Sequence, residues 1–428
     1  VPEDLGVVMQ KDLFAPRVGA TYRLGHTAVL RGGFGITNDP YSLSRSMRTN
    51  HPVLLNVIEE AANSLTWVRP VEQGISAIPD PDLGNGIIPV PGNATVITLP
   101  QQFDRGRVWS WNATYEKELK WGFVGEAAYV GTRQIDQLGQ REQNYATIGG
   151  GSAGRQMFAR FGRTAPTILI APVGNTHYNA LQTRLSRRLR DGVSINVNYT
   201  LAKSMGISGA NNSDQGPSIK IPEFYDLNRA RSGFDRRHAL NIRSTAELPF
   251  GKGRRWLNGG GAFAALVGGW QVNNILSFLS GSPFTVTASG TSLNAPGNTQ
   301  MADRVKDAVK ILGGIGRGNS YFDPFAFAPV TEARFGNGGF NILEGPGIAQ
   351  WDLGIFRRFD IAHRNVQFRA EVFNVTNRPQ FSNPGANRSS LQLNPDGTIR
   401  NLNGYTEVTS TRGRFSERQL RLGLRIGF

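Results

Sequence analysis

The residues able to do chemistry are few, and their spacing does not bring them together. Histidine occurs five times, as His26, His51, His177, His238 and His363. No two stand at the short separation that places a pair of imidazoles on one metal, so turn and loop histidines are the better account. Gly251-Lys252-Gly253 lacks the glycine spacing and the following hydroxyl residue of a phosphate loop, and reads as a turn. Ser280-Gly281-Ser282 has no strand–turn–helix context, so it is not a nucleophile elbow. Cysteine is absent, which removes thiolate metal sites, cysteine nucleophiles and disulfide scaffolds. Asp214, Glu223, Asp226 and Asp235 lie around one stretch and could offer oxygens to Ca²⁺. They lack EF-hand spacing, and solvated loop carboxylates are the plainer reading. No catalytic residue, cofactor-binding residue or metal site is expected, and hence no enzyme.

The informative charges are those that fall on the polar side of alternating segments. In the last eleven residues Leu420, Leu422, Leu424, Ile426 and Phe428 take every second place, with Arg421, Gly423, Arg425 and Gly427 between them. A strand sends alternate side chains to opposite faces, so this segment has one apolar and one polar face. Val193, Ile195, Val197 and Tyr199 alternate in the same way with Ser194, Asn196, Asn198 and Thr200. So do Trp109, Trp111, Ala113 and Tyr115 with Val108, Ser110, Asn112 and Thr114, and Val366, Phe368, Ala370 and Val372 with Gln367, Arg369, Glu371 and Phe373. The faces of segment 123–133 cannot be assigned. Opposite charges on one sheet face attract, so Arg31, Arg369, Arg421 and Arg425 could build ladders with Glu371 and Asp352.

Eleven segments read as strands: 15–24, 27–36, 105–119, 123–133, 176–189, 193–203, 236–248, 270–288, 350–361, 365–377 and 418–428. Arg190-Asp191-Gly192 is a strong hairpin signal between two of them. Short turns follow strands one, three, five and nine, and a medium Gly-rich link follows strand seven. Long segments follow the even strands: 37–104, 134–175, 204–235, 289–349 and 378–417. Loops beyond about 12–15 residues are uncommon in compact soluble domains. This short/long alternation is the asymmetry of an antiparallel transmembrane β-barrel, with short periplasmic turns and long extracellular loops. The expected fold class is therefore all-β, an outer-membrane barrel wall.

Composition agrees. The chain has 428 residues, 39% apolar and 18% charged, with 52 glycines and 23 prolines for turns and irregular loops. Mean hydropathy is −0.31, which alone would suggest a soluble protein. No stretch approaches the roughly 18–20 apolar residues of a membrane-spanning helix, but barrel strands carry a much weaker signal. The formal charge of +15 raises nucleic acid as a partner. Arginine is spread along strands and loops with no recognition motif, so nucleic acid is not expected. Trp109, Trp111, Tyr115, Trp121, Trp270, Trp351 and Phe428 are expected as membrane-interface aromatics rather than sugar-stacking platforms.

With the long loops outside, Phe428 ends on the periplasmic side and Val1 stands outside. Single-chain bacterial barrels have an even number of strands. Either a strand is missed, or an amino-terminal portion with further strands is absent from this chain.

At this point the residues resemble a family. Phe14-Ala-Pro-Arg-Val-Gly-Ala-Thr-Tyr22 followed by Arg31-Gly-Gly-Phe-Gly-Ile36 is similar to a recurring hairpin of Oar-like TonB-dependent receptors. These are outer-membrane proteins with a carboxypeptidase-regulatory-like domain, a plug and a 22-strand barrel. Asp235-Arg-Arg-His-Ala-Leu-Asn241 with Leu248-Pro-Phe-Gly-Lys-Gly253, and Gly268-Gly-Trp-Gln-Val272 with Ser280-Gly-Ser-Pro-Phe284, add to the likeness. Tyr321-Phe-Asp-Pro-Phe-Ala-Phe327, Phe368-Arg-Ala-Glu-Val-Phe-Asn-Val-Thr-Asn377 and Phe381-Ser-Asn-Pro384 follow in the family's order, so the ordered set covers most of residues 14–428.

The resemblance implies that residues 1–428 are the carboxy-terminal portion of such a barrel, with plug, TonB box and upstream strands absent. It implies energised movement of substrates too large for porins, by import or by export. Arg31, Arg369, Glu371, Arg421 and Arg425 would then face the lumen and seat the plug, or contact substrate. The implied partners are outer-membrane lipid, the TonB complex through the missing amino-terminal region, and the barrel assembly machinery through the strand ending in Phe428. The alternative is a structural or adhesive outer-membrane β-barrel whose long loops bind surface partners. A soluble sandwich or propeller enzyme lacks both a catalytic constellation and a blade repeat.

Overall fold

The computed structural model describes residues 8–39, 57–63, 65–75, 77, 84–85, 90–207, 216–251, 253–259, 261–361, 364–413 and 416–427. His51, Asp214, His363 and Phe428 lie outside the described residues. One antiparallel sheet dominates. Its strands are β1 (Arg17–Leu24), β2 (Ala28–Asn38), β3 (Arg107–Glu118), β4 (Phe123–Glu142), β5 (Thr167–Arg190) and β6 (Val193–Ile207), followed by β7 (His238–Glu247), β8 (Trp270–Leu279), β9 (Ile348–Ile361), β10 (Arg364–Phe373) and β11 (Gln419–Gly427). They stand side by side in chain order, and two short strands, Val96–Thr98 and Arg229–Arg231, attach to β5 and β6. Among the described residues β1 pairs only with β2 and β11 only with β10, so the sheet is open at both ends.

Register carries a single apolar face across the whole wall, because directly opposed residues share a side. Tyr22, Leu30, Tyr115 and Ala127 form one such row. Val197, Ile242, Leu276 and Trp351 form another, and Ala370 with Leu422 a third. The register also resolves segment 123–133. Gly125, Ala127, Tyr129, Gly131 and Arg133 share the apolar side. The pattern is unreadable in sequence because Gly131 is an empty place that holds a neighbour's side chain: a Cβ there would overlap the Trp111 indole.

The turns obey local chemistry. Asp191 and Gly192 both take positive φ, 53° and 78°, as a two-residue hairpin of type I′ requires. The sequence boundaries miss in four places, one of them β6, which runs on to Ile207 instead of stopping at 203. β4 and β5 continue past a bulge at Gln134–Gln137 up to Glu142 and Thr167, so the connection is 143–166 rather than 134–175. The extension is stabilised by Leu138 and Ile170, which bury against Phe103. β8 stops at Leu279 instead of running to 288, because Gly281 packs tightly on the backbone of Gly345. β10 stops at Phe373 instead of 377, because buried Asn374 turns the chain with φ 52° and donates its backbone N–H to Asp352 at 2.9 Å.

Burial is inverted relative to a soluble sheet protein. Large apolar side chains of the wall stand exposed, with Leu420, Leu422 and Leu424 at 67%, 64% and 66%. Most of the largest fully buried side chains, Tyr405, Phe103, Phe322 and Phe327 among them, belong to the long connections. There Phe284, Val286, Phe322, Phe327, Leu343 and Tyr405 share one core, and Ile219, Leu293, Met301 and Phe335 a second. The long connections are thus a packed cap with its own core, whereas the wall leaves its apolar side for another solvent. No described helix is long and apolar enough to cross a membrane.

Candidate functional site

The polar face of the wall gathers charge where four neighbouring strands meet. Glu116 on β3 stands directly opposite Glu126 on β4, an unfavourable juxtaposition by itself. Arg31 on β2 reaches Glu116 at 2.7 Å and Glu126 at 3.4 Å. Arg184 on β5 reaches Glu126 at 3.0 Å and Glu116 at 3.5 Å. Each guanidinium therefore bridges both carboxylates, and the quartet ties β2 to β5 across the intervening strands. Isolated exposed ion pairs contribute little; here the arginines also cancel a built-in repulsion.

Removing both arginines, as R31Q/R184Q, is expected to lower the thermal midpoint of the folded wall. Adding E116Q/E126Q should restore most of it, since the repulsion goes with the carboxylates. A quadruple variant as unstable as the double would show that the quartet acts through packing instead.

The other predicted charges share this face without joining the quartet. Arg369 on β10 donates through Nε and Nη2 to Gln367 Oε1 at 2.9 and 2.7 Å, and lies 5.2 Å from the Phe356 ring. Arg421 on β11 opposes Glu371 in register and covers the Phe373 ring at 5.5 Å. Arg425 opposes Gln367. Among the described residues Asp352 joins no arginine ladder; its Oδ1 accepts from Gln350 and from the backbone of Asn374. Glu116, Glu126 and Arg184 were not singled out from sequence. The turn at 119–122 held the signal, since counting back through it sets residue 116 opposite residue 126.

The aromatic candidates lie on the apolar side. Trp109 and Tyr115 are six residues apart on β3, about 20 Å along a strand, with Trp111 between them. Trp351 opposes Leu276, which stands six residues from Trp270 on β8 and gives a similar spacing. Trp351 donates its indole N–H to Asn274 at 3.1 Å, and Trp270 donates to the Leu266 carbonyl at 3.1 Å. Trp121 projects from the β3–β4 turn, 79% exposed.

Histidines and acids of the loop end are used locally. His177 and His238 sit on strands rather than in loops, and His238 Nδ1 lies 2.8 Å from the Tyr199 hydroxyl. Asp235 is buried against Arg231 at 2.9 Å and accepts from the Ser204 backbone, while Glu223 and Asp226 are exposed. Among the described residues no three His, Asp or Glu side chains gather around a metal position. Within the cap, a cleft of about 800 Å³ is lined by Arg317, Ser320, Arg400, Asn401, Asn403 and Glu407. Glu407 is buried and accepts from the backbone N–H groups of Gly318 and Gly404.

Arg334 clamps both oxygens of Asp303 at 2.9 and 2.7 Å and so holds that carboxyl below the usual carboxylate range. A depressed carboxyl stabilises the fold above its unfolded value and loses that contribution as pH falls through its lower folded value. Protease protection of the cap around 300–340 should therefore fall on acidification below about pH 4. The D303N variant should lack that step, and an unchanged profile would count against the clamp.

Residues 1–421 match the family model described as "Outer membrane beta barrel domain". No curated protein matches the chain. Among solved structures, the outer membrane transporter YddB from Escherichia coli is 11% identical, with a TM-score of 0.49, covering 96% of this chain and 40% of its own. The ferric enterobactin receptor PfeA from Pseudomonas aeruginosa is 12% identical at TM-score 0.46, covering 96% and 39%. The siderophore receptor PiuA from Acinetobacter baumannii is 10% identical at TM-score 0.41, covering 96% and 35%. The chain thus spans about 40% or less of the length of these structures.

Proposed function

Since the chain belongs to the outer membrane beta barrel domain family, we propose that it is the carboxy-terminal half of the wall of an Oar-like TonB-dependent receptor. The protein resides in the outer membrane, which its strands cross, with the long loops outside. The observation that carries the proposal is the open eleven-strand sheet with one continuous apolar face. Unpaired backbone groups cannot face hydrocarbon, each costing several kcal/mol, so β1 and β11 need further strands between them. A second set of similar size, giving a 22-strand barrel, would leave room for a plug.

On this reading the barrel moves a substrate too large for porins, and it carries out no catalysis. Arg31, Arg369, Glu371, Arg421 and Arg425 line the lumen and seat the plug. Trp109, Trp111, Tyr115, Trp270 and Trp351 meet the membrane interfaces. The parent protein engages the TonB complex through its amino-terminal region, and β11 engages the barrel assembly machinery.

The test is to express residues 1–428 behind an export signal, beside the full-length protein. The proposal expects heat-modifiable, protease-resistant insertion only for the full-length protein. A stably inserted monomer of residues 1–428 would mean that the wall closes alone. It would favour the adhesive or structural alternative, for which the loop cap with its cleft is the supporting feature.

A further inference from the structure

We propose that the loop-end rim of the apolar face, at Arg133, His177, Lys203 and Arg229, binds the phosphorylated headgroup of an outer-leaflet lipid. The inference requires the outer-membrane placement of the wall and is independent of transport. Register puts these residues together on the outward side. Arg133 on β4 opposes His177 on β5, and His177 opposes Met205 on β6. Lys203, two residues from Met205, opposes Asn179, and Arg229 opposes Ile207 at the upper end of β6. Directly below lies the apolar band, where Tyr129, Leu181 and Leu201 are exposed. Trp109, on the far side of Arg133, marks the same level. A cation costs about 2–4 kcal/mol at the bilayer midplane and little near an interface, so this rim is where it can be held.

What sets the cluster apart is that no carboxylate among the described residues pairs with it. Arg133, Lys203 and Arg229 are exposed, and among the described residues none of them forms an ion pair. Asp136 and Asp226, nearby along the chain, do not bond them. Arg229 Nη2 donates to His177 Nδ1 at 3.4 Å, which places the imidazole proton on Nε2. The site therefore offers three cations and an N–H donor. Two other arginines of the outward face have internal partners: Arg187 pairs with Asp191 at 3.0 Å, and Arg357 lies over the Trp270 and Phe359 rings. Like charges collected at headgroup depth, with no pairing acid among the described residues, match a phosphate monoester. Guanidinium and ammonium groups form short charge-assisted hydrogen bonds with its oxygens.

The experiment uses the full-length protein in phosphatidylcholine nanodiscs doped with either bisphosphorylated lipid A or the same lipid stripped of its phosphates. Retained lipid is read by native mass spectrometry. Each of R133Q, K203Q and R229Q is expected to weaken retention of the phosphorylated lipid about five-fold, and the triple variant on the order of a hundredfold. The turn-end variant K117Q should leave it unchanged. Millimolar inorganic phosphate should not displace the bound lipid. If the triple variant fails to show heat-modifiable migration, the single variants carry the test. Equal retention of both lipids, full retention by the single variants, equal loss in K117Q, or displacement by free phosphate would each overturn the proposal.

Discussion

Phe322→Ala is expected to destabilise the loop cap by about 3–5 kcal/mol while the wall stays inserted. Phe322 is fully buried, and its ring lies 5.5 Å from Tyr405, 6.2 Å from Phe327 and 5.8 Å from Phe284. Removing it forfeits the transfer energy of the ring and leaves a cavity between elements drawn from the β8–β9 and β10–β11 connections. Because the core around Phe322 contains no buried side chain of the eleven wall strands, the loss should stay local. Amide exchange across 284–343 and 391–408 should accelerate, with heat-modifiable migration unchanged. Joint loss of cap and wall protection would show that the two are one cooperative unit. Tyr405→Phe is the control: its buried hydroxyl has no hydrogen-bond partner, and burial pushes the phenol pKa well above its ordinary value. Deleting that hydroxyl should be neutral or stabilising.

Ile242→Arg should cost about 2–4 kcal/mol if the residue lies near the bilayer midplane. Ile242 stands in the centre of the wall, between Val197 on β6 and Leu276 on β8. The same charge placed at Gln182, exposed on the polar face of β5, should change stability by about 0.5 kcal/mol or less. Urea unfolding of the full-length protein reconstituted in bilayers measures both. Equal, small effects at the two positions would show that Ile242 does not face lipid.

Much of the wall was legible because a strand's faces follow from a period of two, and hairpin turns set register between neighbours. Val193 to Leu201 and Leu420 to Ile426 announce their faces without any structure. The segment from Phe123 to Arg133 does not, because Gly131 serves the Trp111 indole on the next strand, and a single strand's sequence cannot show what fills a neighbour's gap. The strand ends at Leu279 and Phe373 were misjudged for a related reason. Apolar and β-forming residues continue beyond them, as in Phe284-Thr285-Val286-Thr287 and Val375, but tertiary contacts of Gly281 and Asn374 turn the chain aside.

The charged face divides in the same way. Alternation alone places Arg31, Arg369, Glu371, Arg421 and Arg425 on one side, since that depends only on parity within each strand. Which charge meets which depends on register across several strands. Arg31 therefore finds Glu116 and Glu126 beside it, not the acids of β9 and β10. The sequence by itself determined the class of wall, its eleven strands and the two sides of most of them, because these rest on local periodicity and turn chemistry. Only the tertiary structure decided the quartet, the cation rim and the packed cap. Each joins residues tens to more than a hundred positions apart, and their meeting is governed by pairing and burial that no local pattern encodes.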